Sequence, residues 1–142
     1  MLVIAFSVNA QFDKTLIAAK LKAMEVAWNN SILEKDHGMK TKSEILADDF
    51  YQINYKTGKM QNKTESLLFD EKSKEITTSV VNNTMTVHFY GTNVATAIGS
   101  HGTKGKANEG KVTSKQHFWV DTYLERNGKW QCISSGGTIT ND

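Results

Sequence analysis

The feature that most constrains the fold is a pair of strand-like segments over residues 112–135, VTSKQHFWVDTYLERNGKWQCISS. The segments meet at Arg126-Asn127-Gly128, and Asn-Gly between two such segments is the strongest short-range signal for a β-hairpin. Large side chains alternate onto both faces of the first strand, so neither face is typical of a sheet surface that only meets water. We therefore expect one face to pack on helices and the other to line a cavity or a partner surface.

The composition favours one globular domain and argues against nucleic-acid binding. The chain has 142 residues, of which 39% are hydrophobic and 23% charged, as in ordinary folded domains. Its 17 basic and 15 acidic residues give a net charge of +2, which is too small to predict a nucleic-acid partner. Cys132 is the only cysteine. An internal disulfide is therefore excluded, and the role expected for this residue is that of a small buried side chain.

The first ten residues resemble a shortened secretory signal peptide. An apolar segment is followed by Val8-Asn9-Ala10, which fits cleavage after Ala10. The basic residues that open such a peptide are missing, so a short N-terminal strand is the alternative. We expect residues 1–10 to be a truncated signal peptide and residues 11–142 the domain. The expected location is then secreted or periplasmic, and otherwise cytoplasmic. No segment reaches the roughly 20 apolar residues of a membrane span.

Helical patterns occupy the first half of the chain. Residues 12–32 carry one apolar stripe after Asp13, which can cap the start of a helix. The stripe consists of Ile17, Leu21, Met24 and Trp28. Asn62 and Glu65 have the spacing of a capping box, which predicts a short helix through residue 69. A weaker helix is expected over residues 36–47, because His37-Gly38 disturbs its first turn.

Strand-like patterns dominate the rest of the chain. Strands are predicted over residues 50–55, 76–81, 84–90 and 94–101, with a bend or bulge at Asn82-Asn83. The glycine- and lysine-rich residues 102–111 predict a mobile hairpin loop. Helices followed by antiparallel strands are typical of the α+β class. A strongly bent antiparallel sheet wrapped around the N-terminal helices makes a cone-shaped fold with an internal pocket, where small ligands usually bind.

Five segments together resemble one superfamily: AWNNSILEKD, ILADDF, KTGKMQNKTESLL, VHFYGTNVATAIG and DTYLERNGKWQCISS. The combination is similar to the nuclear transport factor 2-like superfamily, in its SnoaL-like and ketosteroid-isomerase-like branch of uncharacterised small domains (domain-of-unknown-function 4440 type). The likeness covers roughly residues 12–140. It implies a cone-shaped α+β fold with a cavity, and a homodimer formed through the sheet. Relatives include ketosteroid isomerases, polyketide cyclases, dehydratases and non-catalytic assembly domains.

The two positions that carry chemistry in the isomerase-type relatives differ in this chain. Those relatives place a tyrosine late in the first helix, eight residues before an acidic residue. The acidic residue here is Asp36, and Trp28 stands at the tyrosine position. They place the general base in the first strand, seven residues after the alanine of the ADD motif, where this chain has Asn54. Because an amide cannot act as a carboxylate base, the resemblance does not carry the isomerase mechanism over.

Polar and aromatic side chains alternate along two predicted strands and form the candidate site. The candidate pocket residues are Trp28, Asn54, His88, Tyr90, His117, Trp119, Asp121 and Tyr123. Among them His88, His117 and Asp121 are the candidate catalytic groups, as acid, base or charge stabiliser. His117 and Asp121 lie about 13 Å apart along a regular strand, so they form no direct pair, whereas a cross-strand pair of His88 and Asp121 stays open. The competing interpretation is an interface or a polar sheet face.

Metal and cofactor sites are not expected. The histidines at positions 37, 88, 101 and 117 lack metal-ligand spacing, and no glycine-rich phosphate loop opens a helix. Three functions stay open. The first is a small-molecule-binding domain without the isomerase base, the second a cofactor-independent lyase, isomerase or cyclase, and the third a structural dimerisation module. The sequence does not decide whether the protein is an enzyme.

Overall fold

The computed structural model describes residues 12–72, 76–107 and 110–141, and within them the chain forms three helices and six strands. The proposed signal peptide, residues 1–10, lies outside this part. The elements follow in the order α1 Lys14–Ser31, α2 Met39–Ile45, β1 Leu46–Ile53, β2 Met60–Asn62, α3 Lys63–Glu71, β3 Ile76–Tyr90, β4 Val94–Lys106, β5 Val112–Arg126 and β6 Lys129–Asn141. The strands form one curved, open sheet in the order β2-β1-β6-β5-β4-β3. Among the pairings of these described strands only β1–β6 is parallel, and the predicted α+β fold class is confirmed.

The first helix begins and packs as its sequence predicts. The Asp13 carboxylate accepts hydrogen bonds from the backbone N–H groups of Thr15 and Leu16, at 2.9 and 3.1 Å, which satisfies two amides that the helix leaves unpaired. The predicted apolar stripe packs on the sheet and consists of Ile17, Leu21, Met24 and Trp28. Glu25 and Asn29 are also buried on this helix, which the apolar pattern did not predict.

The other two helices have local causes. The Asn62 side-chain oxygen accepts a hydrogen bond from the backbone N–H of Glu65, and the Glu65 carboxylate accepts one from the backbone N–H of Asn62, both at 2.9 Å. This reciprocal pair is the predicted capping box. Helix α2 is shorter than predicted and begins after Gly38. The chain changes direction at this glycine, which has a φ of 79°. Strand β1 then begins at Leu46, four residues earlier than predicted.

Strand β4 is longer than predicted, and the mobile loop expected over residues 102–111 is wrong for its first half. Residues 102–106 pair with β3 on one side and with β5 on the other. A side chain at Gly105 would collide with the backbone carbonyl of Ile76. This glycine therefore serves a close approach of two strands rather than a mobile loop. Strand β3 is continuous, with an irregular register between Asn82 and Met85 where a bend was predicted.

The β5–β6 hairpin is confirmed and contains a bulge. Asn127 and Gly128 have φ angles of 54° and 81°, which is the left-handed pair that a two-residue hairpin turn requires. Further along, Thr122 opposes Ser134 while Tyr123 opposes Cys132, so Ile133 is an extra residue on β6. The bulge changes which residues face inward: Cys132 is buried before it, and Ser135 lies opposite Asp121 after it.

The helices cover one face of the sheet, and this inner face forms both the core and a cavity. The buried core includes Leu21, Phe50, Trp119, Tyr123 and Trp130. The other face of β5 exposes Phe118 and Val120, at 47% and 46% of their surface. Of the two roles expected for the face of β5 that the helices do not cover, the cavity is wrong, because the helices cover only part of the inner face and the cavity lies beside them. The partner surface stays a prediction.

Candidate functional site

A cavity of about 220 Å³ lies between the inner face of the sheet and the helices. The end of α1, the start of α2, the turn after β1 and the inner faces of β4, β5 and β6 all contribute to its wall. Its aromatic and polar lining includes Trp28, Asn29, Lys42, Gln52, Asn54, His101, Thr103, His117, Trp119, Asp121 and Ser135. Five of the eight predicted pocket residues are in this set, namely Trp28, Asn54, His117, Trp119 and Asp121.

Strand β5 supplies the row of side chains along the cavity. Its inward residues follow the strand period of two, and Asp121 lies opposite Ala97 while Trp119 lies opposite Gly99. Small residues on β4 leave room for the large groups on β5, since a methyl group at Gly99 would lie 2.7 Å from the Trp119 ring. Tyr123, the fourth predicted residue of this row, is fully buried in the core and is absent from the cavity wall.

Two histidines stack at one end of this row. His101 and His117 are direct cross-strand neighbours, and their rings stack with centroids 4.4 Å apart at 9°. The Trp119 indole N–H donates to Nδ1 of His101 at 3.3 Å, which assigns the proton of the neutral ring to Nε2. Thr103 Oγ1 hydrogen-bonds with Nε2 of His117 at 3.0 Å. Burial, and then the neighbouring His117, lowers the pKa of His101 to about 4, so this imidazole is neutral at pH 7.

Two carboxyl groups meet at the other end of the row. Asp121 is 3% exposed and Glu25 is 1% exposed. Burial raises the pKa of Asp121 to about 7, although the Ser135 and Glu25 side chains oppose the rise. Burial, and then repulsion from Asp121, raises the pKa of Glu25 well above its usual value. Oδ1 of Asp121 has no hydrogen-bond partner among the described residues. Both carboxyls therefore hold a proton more strongly than an exposed carboxyl does.

Glu25 was not among the predicted site residues, although the sequence contains a signal for it. It lies four residues after Leu21 and three before Trp28, so it is on the same helical stripe as the apolar residues. Its Oε1 accepts a hydrogen bond from the Tyr123 hydroxyl at 2.7 Å. A carboxyl on an apolar stripe needs such a partner, and that requirement is the signal that points to a buried polar cluster.

Asn54 has a structural role in the cavity wall. Its side-chain oxygen accepts from the backbone amides of Lys56 and Thr57, at 2.9 and 3.0 Å, and so holds the turn after β1. Its amide nitrogen donates to Gln61 Oε1 at 3.1 Å, and Gln52 donates to the same oxygen at 3.1 Å. The oxygen and the nitrogen of the Asn54 side chain are therefore both hydrogen-bonded within the fold, and a side-chain amide cannot act as a general base.

His88 and Tyr90 lie outside the candidate site, which corrects the prediction that they line the pocket. Val87 and Phe89 pack against the core, so the strand period turns His88 and Tyr90 to the outer face. Both are exposed, Tyr90 at 60%. A cross-strand pair of His88 with Asp121 is therefore excluded, and the cross-strand histidine partner of His117 is His101.

Among the described residues, no group of three or more His, Cys, Asp or Glu side chains is arranged to hold a metal ion. None of the described helices is long and apolar enough to cross a membrane. Cys132 is buried in the core as a free thiol, as its sequence context predicted.

A curved, open sheet that folds over N-terminal helices and leaves a cavity beneath its centre defines the nuclear transport factor 2-like (NTF2-like) class of α+β folds. This chain has that fold. An NTF2-like protein from Cytophaga hutchinsonii superposes with a TM-score of 0.71 at 15% identity, over 90% of this chain and 99% of that one.

Two other solved structures are similar to this chain. One is an NTF2-like protein of unknown function in nutrient uptake from Rhodospirillum rubrum, with a TM-score of 0.69 at 16% identity over 84% of this chain and 98% of that one. The other is the hexachlorocyclohexane dehydrochlorinase LinA-type3 from Novosphingobium barchaimii, with a TM-score of 0.72 at 12% identity over 87% and 88% of the two chains. No protein-family model and no curated protein matches the sequence. At these identities the structural likeness establishes the fold alone.

Proposed function

We propose that this chain binds a small organic molecule in the cavity beneath the sheet. The observation that best supports this proposal is the composition of the cavity wall. The indole rings of Trp28 and Trp119 lie beside a few polar groups around a space of about 220 Å³. Apolar walls with a small number of convergent polar groups are typical of ligand sites. The fold also occurs in a dehydrochlorinase whose name gives hexachlorocyclohexane, a small chlorinated ring, as its substrate.

A fluorescence titration with a library of one- and two-ring compounds tests this proposal. Trp28 and Trp119 line the cavity, so a bound compound changes the tryptophan emission. Ser135→Leu fills part of the cavity and should weaken binding at least about tenfold. Ser134→Leu is the matched control, because Ser134 pairs with Tyr51 and Thr122 on the outer face. Equal loss in both variants, or compounds that bind neither wild type nor control, would count against the cavity as the site.

Proton transfer on the bound molecule is a second candidate function. It is favoured by two groups on the cavity wall whose pKa values are shifted in opposite directions, His101 to about 4 and Asp121 to about 7. Sites that perform acid–base chemistry near neutral pH hold groups tuned in this way. In this function His101 and His117, whose rings stack, are the two imidazoles of the site, and Asp121 is the acid or charge stabiliser.

Turnover on a panel of enolisable and dehydratable compounds separates catalysis from binding. His117→Ala and Asp121→Asn should each lower turnover about 10²-fold to 10⁴-fold, the usual range for general acid–base groups, while a bound compound is retained. His88→Ala is the matched control, since His88 is exposed on the outer face. Turnover that survives in both cavity variants, or falls equally in the control, would remove this candidate and leave a binding domain.

We also propose that the outer face of the sheet pairs with a second copy of this chain. Ile98 and Val120 are cross-strand neighbours, and together with Phe118 they expose between 42% and 47% of their surfaces. Adjacent exposed apolar side chains mark association sites. Val120→Lys should lower the mass measured by light scattering from dimer to monomer. Leu16→Lys, at a 69% exposed position on α1, should leave it unchanged. A monomeric wild type would refute the pairing and with it the structural dimerisation alternative.

A further inference from the structure

Glu25 and Asp121 form a buried carboxyl pair between α1 and β5, at the inner end of the cavity. Asp121 belongs to the cavity wall, and Glu25 lies behind it, 1% exposed. The Tyr123 hydroxyl donates to Oε1 of Glu25 at 2.7 Å. Tyr123 and Asp121 are alternate buried residues on the inner face of β5, so this hydrogen bond holds the Glu25 carboxyl on the side of the strand where the Asp121 carboxyl lies. The repulsion between the two carboxyls raises the pKa of Glu25.

The surroundings of this pair favour one proton shared between its members. Two adjacent carboxylates in a water-poor interior repel each other, so one of them keeps its proton. The titratable groups whose charges act on the pair are Tyr123 and Cys132. Burial raises the pKa values of the Tyr123 phenol and the Cys132 thiol, so neither adds a charge at pH 7. Lys42 of α2 also lines the cavity, with its amine donating to the His37 carbonyl at 3.1 Å.

We infer that Glu25 holds the shared proton and that Asp121, as the carboxylate, receives a hydrogen-bond donor of the ligand, a hydroxyl or an ammonium group, on its Oδ1. This inference rests on the proposed small-molecule binding and names the ligand chemistry at the inner end. Oδ1 of Asp121 is buried and has no partner among the described residues. A buried acceptor that lacks a hydrogen-bond partner is stabilised most by a ligand group that donates a hydrogen bond to it. Glu25 does not line the cavity, so it acts through Asp121 as a positioning residue.

Four compounds built on one benzene ring test the ligand chemistry, namely benzyl alcohol, benzylamine, toluene and benzoate. The first two donate a hydrogen bond, toluene does not, and benzoate brings a second negative charge. We expect both donors to bind about 10-fold to 100-fold more tightly than toluene, since a hydrogen bond to a charged acceptor has this strength. Benzoate should bind more weakly than toluene. Asp121→Asn should remove most of the preference for benzylamine, whereas His88→Ala on the outer face should keep it.

The shared proton has a readout that needs no ligand. In the wild type, ¹³C NMR of labelled glutamate carboxyls should show one that is still protonated at pH 7. That signal should vanish in Glu25→Gln and persist in Glu44→Gln, which changes an exposed glutamate. Glu25→Gln can still accept from Tyr123 and donate to Asp121, so it should keep donor preference but lose the pH dependence that the proton gives to binding. The wild-type titration decides the point even if Glu25→Gln does not fold.

The outcomes separate this inference from the proposed function. If every glutamate is ionised at pH 7 in the wild type, the shared proton is refuted. If all four compounds bind with similar affinity, binding stands and the Asp121 contact is refuted. If none of the four changes the tryptophan emission while other compounds of the one- and two-ring library do, binding stands and the Asp121 contact is refuted. If no compound of that library does, the proposed binding function falls as well.

Discussion

The replacement Asp121→Asn should change how the stability of the fold depends on pH. Burial raises the pKa of Asp121 from 3.8 to about 7. Each unit of difference between the folded and unfolded states is worth about 1.4 kcal/mol, so the rise corresponds to about 4 kcal/mol at pH values above both. A carboxyl with a raised pKa contributes stability that is fully present below pH 3.8 and is lost as pH rises through 7. The free energy of unfolding of the wild type, minus that of Asp121→Asn, should therefore fall by about 4 kcal/mol between pH 4 and pH 8.

Urea unfolding followed by circular dichroism at half-unit pH steps measures this difference. His101 acts in the opposite sense, because its lowered pKa costs stability as pH falls from 6.5 towards 4, but it is present in both proteins and cancels to first order. Loss of the Asp121 charge also relieves the repulsion that raises the pKa of Glu25, which adds to the predicted fall. Asp49→Asn is the control, because an ion pair with Arg126 lowers the pKa of the exposed Asp49 and reverses the sign. A difference that stays flat within about 1 kcal/mol, or rises with pH, would refute the buried-carboxyl argument.

Three further substitutions test the packing around the site, each read from urea unfolding. Gly99→Ala places a methyl group 2.7 Å from the Trp119 ring, so it should cost about 1–3 kcal/mol and shift the tryptophan emission, and an unchanged spectrum would contradict this. Tyr123→Phe removes the donor to Glu25 and should cost about 1–3 kcal/mol, with a near-neutral result arguing against the 2.7 Å bond. Asn62→Ala removes the helix cap of α3 and should cost about 1 kcal/mol, so full stability would show that the cap adds little.

The elements that were predictable from the sequence have local causes. The Asn127-Gly128 turn depends on two adjacent residues that tolerate positive φ. The α3 cap depends on Asn62 and Glu65, three positions apart, and the α1 stripe on a period that one helix satisfies alone. Together with the superfamily likeness, these signals were sufficient for the fold class and for five of the residues around the cavity.

The features that were not predictable depend on contacts between distant segments. Whether His88 or Val87 faces inward is decided by which face of β3 the helices cover, and period-two alternation alone leaves both choices open. The strand character of residues 102–106 comes from pairing on both sides, which their glycine and lysine content obscures. Glu25 is buried because Tyr123, 98 positions away, donates a hydrogen bond to it.

The extra residue at Ile133 divides β6 into two segments of opposite parity. Before it, the even-numbered Trp130 and Cys132 point into the molecule; after it, the odd-numbered Ser135 and Gly137 do so, opposite Asp121 and Trp119. Deleting this single residue while keeping the hairpin turn would rotate residues 134–141, the rest of β6, by half a turn. Serine and threonine that now lie outside would then replace the inner wall, with the hydrophobic end of β6 left intact. The number of residues in β6, as well as their identity, therefore determines which side chains form the cavity wall. In a sequence alignment, a gap at position 133 would distinguish chains that share only the fold from chains that also share the cavity wall.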